Sequence, residues 1–146
     1  MNWKSEAIEK LKEYPLRKNA LTSIPEEIKR LQEAAYRIRS ALADATPASG
    51  GSNGRVDMLL SNIARRQELK WRLDDAQRWV QIVEAGLAVL SAEERRVLEV
   101  MYMIRARGDI DRLCKELHLE DERSVYKRKD VALRKFTLAL YGICEK

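Results

Sequence analysis

The stretch DIDRLCKELHLEDERSVYKRKDVALRKF, residues 109–136, decides the fold of this chain. Apolar residues recur at helical spacing on both sides of a short polar turn at residues 120–122. We predict a first helix with Asp109 as its N-cap, and a second helix from Arg123 to Tyr141. The residues expected to face inward are Ile110, Leu113, Cys114 and Leu117 in the first helix and Val125, Ala132, Leu133, Phe136 and Leu140 in the second.

A further helix is predicted immediately upstream of this pair. Ser91 and Glu94 have capping-box spacing, so a helix should begin there and continue to about Arg105, with Gly108 ending this segment. Three successive helices, the last two joined by a tight turn, are the layout of a helix-turn-helix unit.

Charge is distributed unevenly over the last two helices. Residues 109–122 carry two basic and six acidic side chains, whereas residues 123–135 carry six basic and one acidic. A recognition helix needs cations to neutralise phosphates and hydrogen-bond donors near its N-terminus to reach base edges. The predicted DNA-binding residues are Arg123, Ser124, Tyr126, Lys127, Arg128, Lys129 and Arg134. The alternative is a solvated cationic helix surface without a ligand.

Two of these residues have specific expected orientations. Tyr126 directly follows the inward-facing Val125 and is expected to project outward, although a packing role is the alternative. Arg128 lies three residues after Val125, so we expect it to lean toward the core and to reach phosphate only with the tip of its side chain.

The sequence of the N-terminal part predicts two helices separated by Pro15. The first, over residues 2–14, is expected to stop there because proline interrupts a helix. Ser23 and Glu26 form a second capping-box pattern, with the regular helix starting near Ile24. Its apolar positions step by three and four residues, as in a heptad repeat, at Ile24, Ile28, Leu31, Ala35, Ile38 and Leu42.

A connector rich in glycine, residues 45–55, precedes a long predicted helix from Asp57 to Leu90. Its second half repeats the heptad steps at Leu69, Leu73, Ala76, Val80, Val83, Leu87 and Leu90. The two stripes favour an antiparallel hairpin that buries its own core, and a dimeric coiled coil is the alternative. Trp71 and Trp79 lie on one helical face, where core packing is favoured over a partner surface.

These elements predict an all-α chain in four segments. They are an N-terminal helical segment at 1–44, a flexible linker at 45–55, a long helix at 56–90 that forms a hairpin or an oligomer, and a helix-turn-helix DNA-binding unit at 91–146.

Composition argues against several classes of protein. The net charge of +5 is too mild to identify a nucleic-acid binder by itself, and no run of apolar residues is long enough to span a membrane. The two cysteines, Cys114 and Cys144, and the single His118 form no metal-spaced cluster, which favours a reducing cytoplasm. We expect no enzyme activity, no metal site and no cofactor, since neither a catalytic constellation nor a phosphate-binding loop is recognisable.

The ordered motifs LSAEERRVLEVMY, IDRLCKELHL and SVYKRKDVALRKF resemble region 4 of sigma factors. In that family an acidic helix precedes a helix-turn-helix whose recognition helix ends in a sequence like Ala132–Phe136. The whole chain is similar to the small sigma-like late-gene regulators of phages and prophages of Gram-positive bacteria, of the ArpU and RinA type. It shares with them a Pro-x-Ser-Gly-Gly connector at residues 47–51 and the motif VYKRKDVAL at residues 125–133.

The resemblance implies double-stranded DNA as the partner and activation of late genes beside RNA polymerase. Some relatives bind DNA for packaging, so a small terminase-like subunit is an alternative. A third possibility is a protein-interaction module whose basic helix binds an acidic protein. No region for promoter melting is recognisable. The heptad stripes add the expectation of a homo-oligomer.

Overall fold

The computed structural model describes residues 2–44, 52–104 and 108–144, and within these ranges the chain is helical with no strand. The helices are α1 (Trp3–Asp44), α2 (Ser52–Ala88), α3 (Ala92–Leu98) with a π-helical continuation (Glu99–Met103), α4 (Asp109–Glu116) and α5 (Glu122–Tyr141). The all-α prediction is therefore confirmed for the described residues. None of the helices described combines the length and apolar character needed to cross a bilayer.

The N-terminal segment forms one helix, so the predicted stop at Pro15 and the predicted new start at Ser23 are wrong. α1 continues through both Pro15 and Pro25. A proline inside a helix removes one backbone hydrogen bond and costs about 3 kcal/mol. Side-chain burial on both sides of Pro15 offsets this cost, because Leu11 before it and Ile28 after it are buried.

The second long helix begins earlier than predicted. α2 starts at Ser52, so the last residues of the predicted 45–55 connector are helical, while residues 45–51 lie outside the described part of the chain. α2 then extends to Ala88, close to the predicted end.

The chain forms two compact units, and the first, here called the hairpin unit, comprises Lys18–Gln77. The amide of Asn62 on α2 donates to the carbonyl oxygen of Leu31 on α1 at 2.8 Å, and Arg55 donates to the carbonyl oxygen of Ala41 at 3.2 Å. Because the earlier residue of α1 contacts the later residue of α2, the helices are antiparallel. The heptad positions of α1 and α2 in this unit therefore form an intrachain seam, in which Ile28, Ala35 and Asn62 are buried.

The second unit, here called the core unit, comprises Met1–Arg17 and Arg78–Lys146. The start of α1 joins it through Trp3, whose ring centroid lies 5.0 Å from that of Tyr141. Burial raises the pKa of Tyr141. The end of α2 approaches α5 closely at Gly86, where an added Cβ would lie 3.0 Å from both Phe136 and Leu140. A larger residue there would require these two side chains to shift, so the close approach favours glycine.

The two cysteines and two of the tryptophans differ in their burial. Cys144 is buried, whereas Cys114, which was expected to face inward, is half-buried and packs against Val100, Leu113 and Val125. Trp71 is 64% exposed, so its expected core packing is wrong. Trp79 is half-buried, with the guanidinium of Arg17 4.5 Å from its ring centroid, a cation–π contact within the core unit.

The predicted capping box at the start of α3 is confirmed. The backbone N–H of Glu94 donates to the Ser91 hydroxyl at 3.2 Å, and that of Ser91 donates to the Glu94 carboxylate at 3.1 Å. The helix then widens into a π-helical turn, closed by a 2.8 Å hydrogen bond from the Ile104 N–H to the carbonyl oxygen of Glu99. The predicted end at Arg105 lies outside the described residues.

Candidate nucleic-acid interface

The N-cap of α4 lies one residue earlier than predicted. Gly108 is the N-cap residue, with a φ of 74°, and Asp109 is the first helical residue. The left-handed conformation suits glycine because it lacks the Cβ that makes this region costly. The Asp109 carboxylate is buried and accepts a hydrogen bond from Arg112 at 2.6 Å, one turn further along the helix.

The turn between α4 and α5 is a compact helix C-terminus. The Leu117 N–H donates to the carbonyl oxygen of Leu113, and the Leu119 N–H donates to that of Cys114, both at 2.9 Å. His118 lies between them with a φ of 55°. A left-handed residue followed by a bond reaching back to the helix is the Schellman arrangement, which usually uses glycine. His118 thus has a structural position in the turn that ends α4.

The start of α5 is fixed by Asp121, its N-cap residue. The Asp121 carboxylate accepts hydrogen bonds at 3.0 Å from both the N–H and the hydroxyl of Ser124. These bonds lower the pKa of Asp121 because they stabilise its ionised form. The Cys114 thiol donates to the carbonyl oxygen of Asp121 at 3.5 Å and links α4 to this cap.

The angle between α4 and α5 is held by a small apolar cluster. Its buried members are Val100 from the π-helical turn, Leu113 from α4 and Val125 from α5. Partly buried residues pack against these three, namely Met101, Ile110, Cys114, Leu117 and Leu119. The predicted burial of Leu113, Val125 and Leu133 is confirmed, whereas Leu117, which was expected to be buried, is half-buried.

Three predicted cations form one exposed surface on α5. Arg123, Lys127 and Arg134 lie on the helix side opposite the buried Val125, Ala132 and Phe136. Among the described residues, no carboxylate lies within ion-pair distance of their charged groups. We call these three residues the open basic face. Their charges are accessible to an anionic ligand.

The other cations of α5 are paired with carboxylates. Arg128 donates to the Glu93 carboxylate at 2.6 Å, and Lys135 lies 2.9 Å from that of Glu94. Both acids come from α3, so these pairs join α3 to α5. The Arg128 side chain therefore points toward α3, and its guanidinium is paired with the Glu93 carboxylate. Sequence reasoning assigned Glu94 to the capping box only and did not identify Glu93, since contacts across 35 residues have no local signal.

Lys129 and Tyr126 form a local pair. The Lys129 ammonium lies 5.5 Å from the centroid of the Tyr126 ring and 3.3 Å from the Asp130 carboxylate. Tyr126 is exposed, which agrees with its expected outward orientation. Ser124 is half-buried and its hydroxyl is engaged by Asp121, so its side chain acts as part of the helix cap.

Ion pairs also join α3 to α4. The Arg96 guanidinium donates to both oxygens of Glu116, at 3.0 and 3.1 Å, and to Glu99 at 3.2 Å. The guanidinium lowers the pKa of the Glu116 carboxyl. Lys135 is the main cause of the lowered pKa of Glu94, aided by hydrogen bonds from Ser91. Thus the acidic residues of α3 and α4 are largely neutralised within the unit, whereas the open basic face is not.

The described residues include no group of three or more metal-ligating side chains. Comparison with protein-family models, curated proteins and solved structures gave no match to the chain. The resemblance to sigma-like regulators therefore rests on sequence motifs alone.

Proposed function

We propose that the chain is a sequence-specific DNA-binding transcription regulator that reads duplex DNA with α5. The observation that supports this proposal is the open basic face, in which Arg123, Lys127 and Arg134 lie exposed on one side of a single helix, without an ion pair among the described residues. Phosphate neutralisation by such cations supplies most of the affinity of proteins for DNA. Activation of phage late genes beside RNA polymerase is the form of regulation that the sequence resemblance implies.

Local geometry supports the same proposal. α5 follows α4 after a turn of five residues, and the cluster around Leu113 and Val125 holds the two helices together. A helix held in this way can enter a major groove with its N-terminal turns, where Arg123 and Lys127 lie.

The proposal is tested by titrating the intact chain with duplex DNA at several salt concentrations. Lys127→Ala should weaken binding to all sequences alike and reduce the slope of log affinity against log salt by about one unit. Arg123→Ala should relax preference at one base position, at a cost of roughly 1–3 kcal/mol. Lys115→Ala on α4 is the matched control, since it removes an exposed lysine from the same unit and should change neither quantity.

An unchanged salt slope for Lys127→Ala, together with unchanged affinity and base preference for Arg123→Ala, would reject α5 as the DNA reader. In that case an acidic protein partner becomes the better proposal for the open basic face. Where binding is confirmed, in vitro transcription with RNA polymerase separates regulation from packaging, because only a regulator should raise transcript yield from a promoter that carries the selected site.

A further inference from the structure

The hairpin unit exposes a row of apolar side chains on α2. Val56, Leu60, Ile63 and Trp71 are exposed, with Leu60 at 59% and Trp71 at 64%. They follow one another at spacings of four, three and eight residues, with the polar Gln67 between the last two. We call these four residues the outer stripe. At about 1.5 Å per residue the outer stripe extends over roughly 22 Å of helix.

The outer stripe is distinct from the intrachain seam. Successive residues of a helix are rotated by about 100°, which places the outer stripe on the side of α2 away from Asn62 and Leu69. Asn62 is committed to the seam by its hydrogen bond to Leu31. The seam is therefore occupied within one chain, and the oligomer expected from the heptad positions requires another surface.

A two-helix hairpin with so small a buried core gains stability by covering further apolar surface. Among its described residues the buried side chains are Ile28, Ala35 and Asn62, and Ile28 is the large hydrophobe of these three. Trp71 alone leaves on the order of 100 Å² in water, since an aromatic side chain buries 150–250 Å² when fully covered. Contiguous exposed apolar residues of this kind are typical of interaction sites.

We propose that the outer stripe packs against the same stripe of a second copy of this chain, with the two α2 helices parallel. The charges beside the stripe favour a second copy. Asp57 and Glu68 lie along one flank, and Lys70 lies along the other. Glu68 also pairs with Arg72 at 2.8 Å, and Arg66 is bonded to the seam residue Asn62. In a parallel pair related by a two-fold axis, the acidic flank of one helix faces the basic flank of its partner.

An antiparallel pair would be less favourable for the same reason. In an antiparallel pair the acidic flank of one helix lies beside the acidic flank of the other. Asp57 and Glu68 would therefore approach like charges. In the parallel pair, Lys70 of one copy lies at nearly the same height along the helix as Glu68 of the other copy. Lys70 has no ion pair among the described residues. The outer surface of α1 lacks a comparable stripe, since Tyr36 is its large exposed hydrophobe within the hairpin unit.

The first experiment measures the mass of the intact chain by light scattering at concentrations up to on the order of 50 µM. We expect twice the monomer mass for the parent chain and the monomer mass for Leu60→Glu. Met58→Glu is the matched control, because Met58 is also 59% exposed and lies two residues away on another side of α2. Far-UV circular dichroism should show unchanged helix content in both variants, since both substitutions are at exposed sites.

A monomeric parent chain would overturn the proposal, and so would equal effects of the Leu60→Glu and Met58→Glu substitutions. If the parent chain is monomeric, the outer stripe binds a partner of another kind. If the two substitutions have equal effects, the dimer forms through a different surface.

The second experiment determines helix direction. Val56→Cys should form a disulfide-linked dimer under mild oxidation if the helices are parallel, because the two copies of residue 56 then lie at the same level. The parent chain, which contains Cys114 and Cys144, is the control for linkage through native cysteines. Absence of additional cross-linking in a chain that light scattering shows to be dimeric would reject the parallel arrangement. This inference does not depend on DNA binding, so failure of either proposal leaves the other intact.

Discussion

One helix and one apolar repeat produce two different environments in this molecule. Leu73 and Leu87 lie on α2 fourteen residues apart, and the intervening positions continue the same heptad steps. Leu87, in the core unit, is 1% exposed, whereas Leu73, in the hairpin unit, is half-buried. In the core unit the end of α2 lies against α5, as the close approach at Gly86 demonstrates. In the hairpin unit α2 has α1 as its neighbour.

The difference shows that a heptad repeat specifies which side of a helix packs, while the number of neighbouring helices determines how deeply it is buried. Two packed helices cover a stripe on one side each, and a further layer encloses the same positions. The core unit consequently contains nearly all fully buried large side chains, including Phe136, Leu11, Leu98 and Leu113. The hairpin unit instead has an exposed outer stripe.

The largest predicted effect tests this contrast on the two equivalent leucines. Leu87→Ala should lower the free energy of unfolding by about 2–5 kcal/mol, since it leaves a cavity in a closely packed site. Leu73→Ala should cost about half as much or less, because its side chain already contacts water. Urea titrations followed by circular dichroism provide both values. Equal losses would mean that the two units bury this repeat to the same extent.

The next prediction concerns the N-terminal residues of the core unit. Leu11→Ala should cost about 2–4 kcal/mol, because Leu11 is fully buried. Leu16→Ala on the same helix is the control, since Leu16 is 76% exposed and its truncation should change stability by less than about 0.5 kcal/mol. Thermal unfolding of both variants measures the difference. If Leu11→Ala is as stable as the parent chain, the start of α1 does not pack in the core unit.

A smaller effect is expected at the ion pair between α3 and α5. Glu94→Gln retains a side chain able to complete the capping box but removes the charge, and should cost about 0.5–1 kcal/mol at pH 7. The pKa of Glu94 is lowered in the folded chain from its ordinary value of 4.5. Its charge therefore stabilises the fold above about that pH, and this contribution is lost as the pH falls through the lowered pKa.

Unfolding titrations between pH 7 and pH 3 should thus show the parent chain and Glu94→Gln converging at the acidic end. Glu93→Gln is the neighbouring control, with an expected change of less than about 0.5 kcal/mol at pH 7, because the Glu93 ion pair with Arg128 is exposed. A difference between the parent and Glu94→Gln that does not depend on pH would assign the effect to packing instead of charge.

The smallest predicted effect is a gain in stability at the turn before α5. His118 has a φ of 55°, a conformation that glycine adopts without steric cost. His118→Gly should therefore stabilise the core unit by about 0.5 kcal/mol, after allowance for the greater freedom of glycine in the unfolded chain. The thermal midpoint should rise by a few degrees, while His118→Ala should give no increase. A lower midpoint for His118→Gly would indicate that the imidazole makes a stabilising contact.

Local chemistry made several features predictable from the sequence. The capping box of Ser91 and Glu94 marks the start of α3, and the inward positions Val125, Ala132, Leu133 and Phe136 follow from helical spacing in α5. Such signals depend on residues three or four positions apart, so they survive without knowledge of the fold. The predicted outward orientation of Tyr126 has the same basis.

Local rules failed where distant residues decided the outcome. Pro15 predicted a break, yet α1 continues through it because burial on both sides offsets the lost hydrogen bond. The capping pattern of Ser23 and Glu26 predicted a new helix start, yet α1 is continuous there as well. Each of these local preferences is worth a few kcal/mol at most, which tertiary packing can exceed.

By itself the sequence determined the all-helical class, the side of each helix that packs and the concentration of cations on α5. These properties are set by residue type and by a period of 3.6 residues. The tertiary structure alone decided which cations remain accessible, because Glu93 and Glu94 engage Arg128 and Lys135 from another helix and leave Arg123, Lys127 and Arg134 open. It also decided that the start of α1 belongs with α5. Both outcomes depend on contacts between residues far apart in the chain, which become neighbours only when the helices pack.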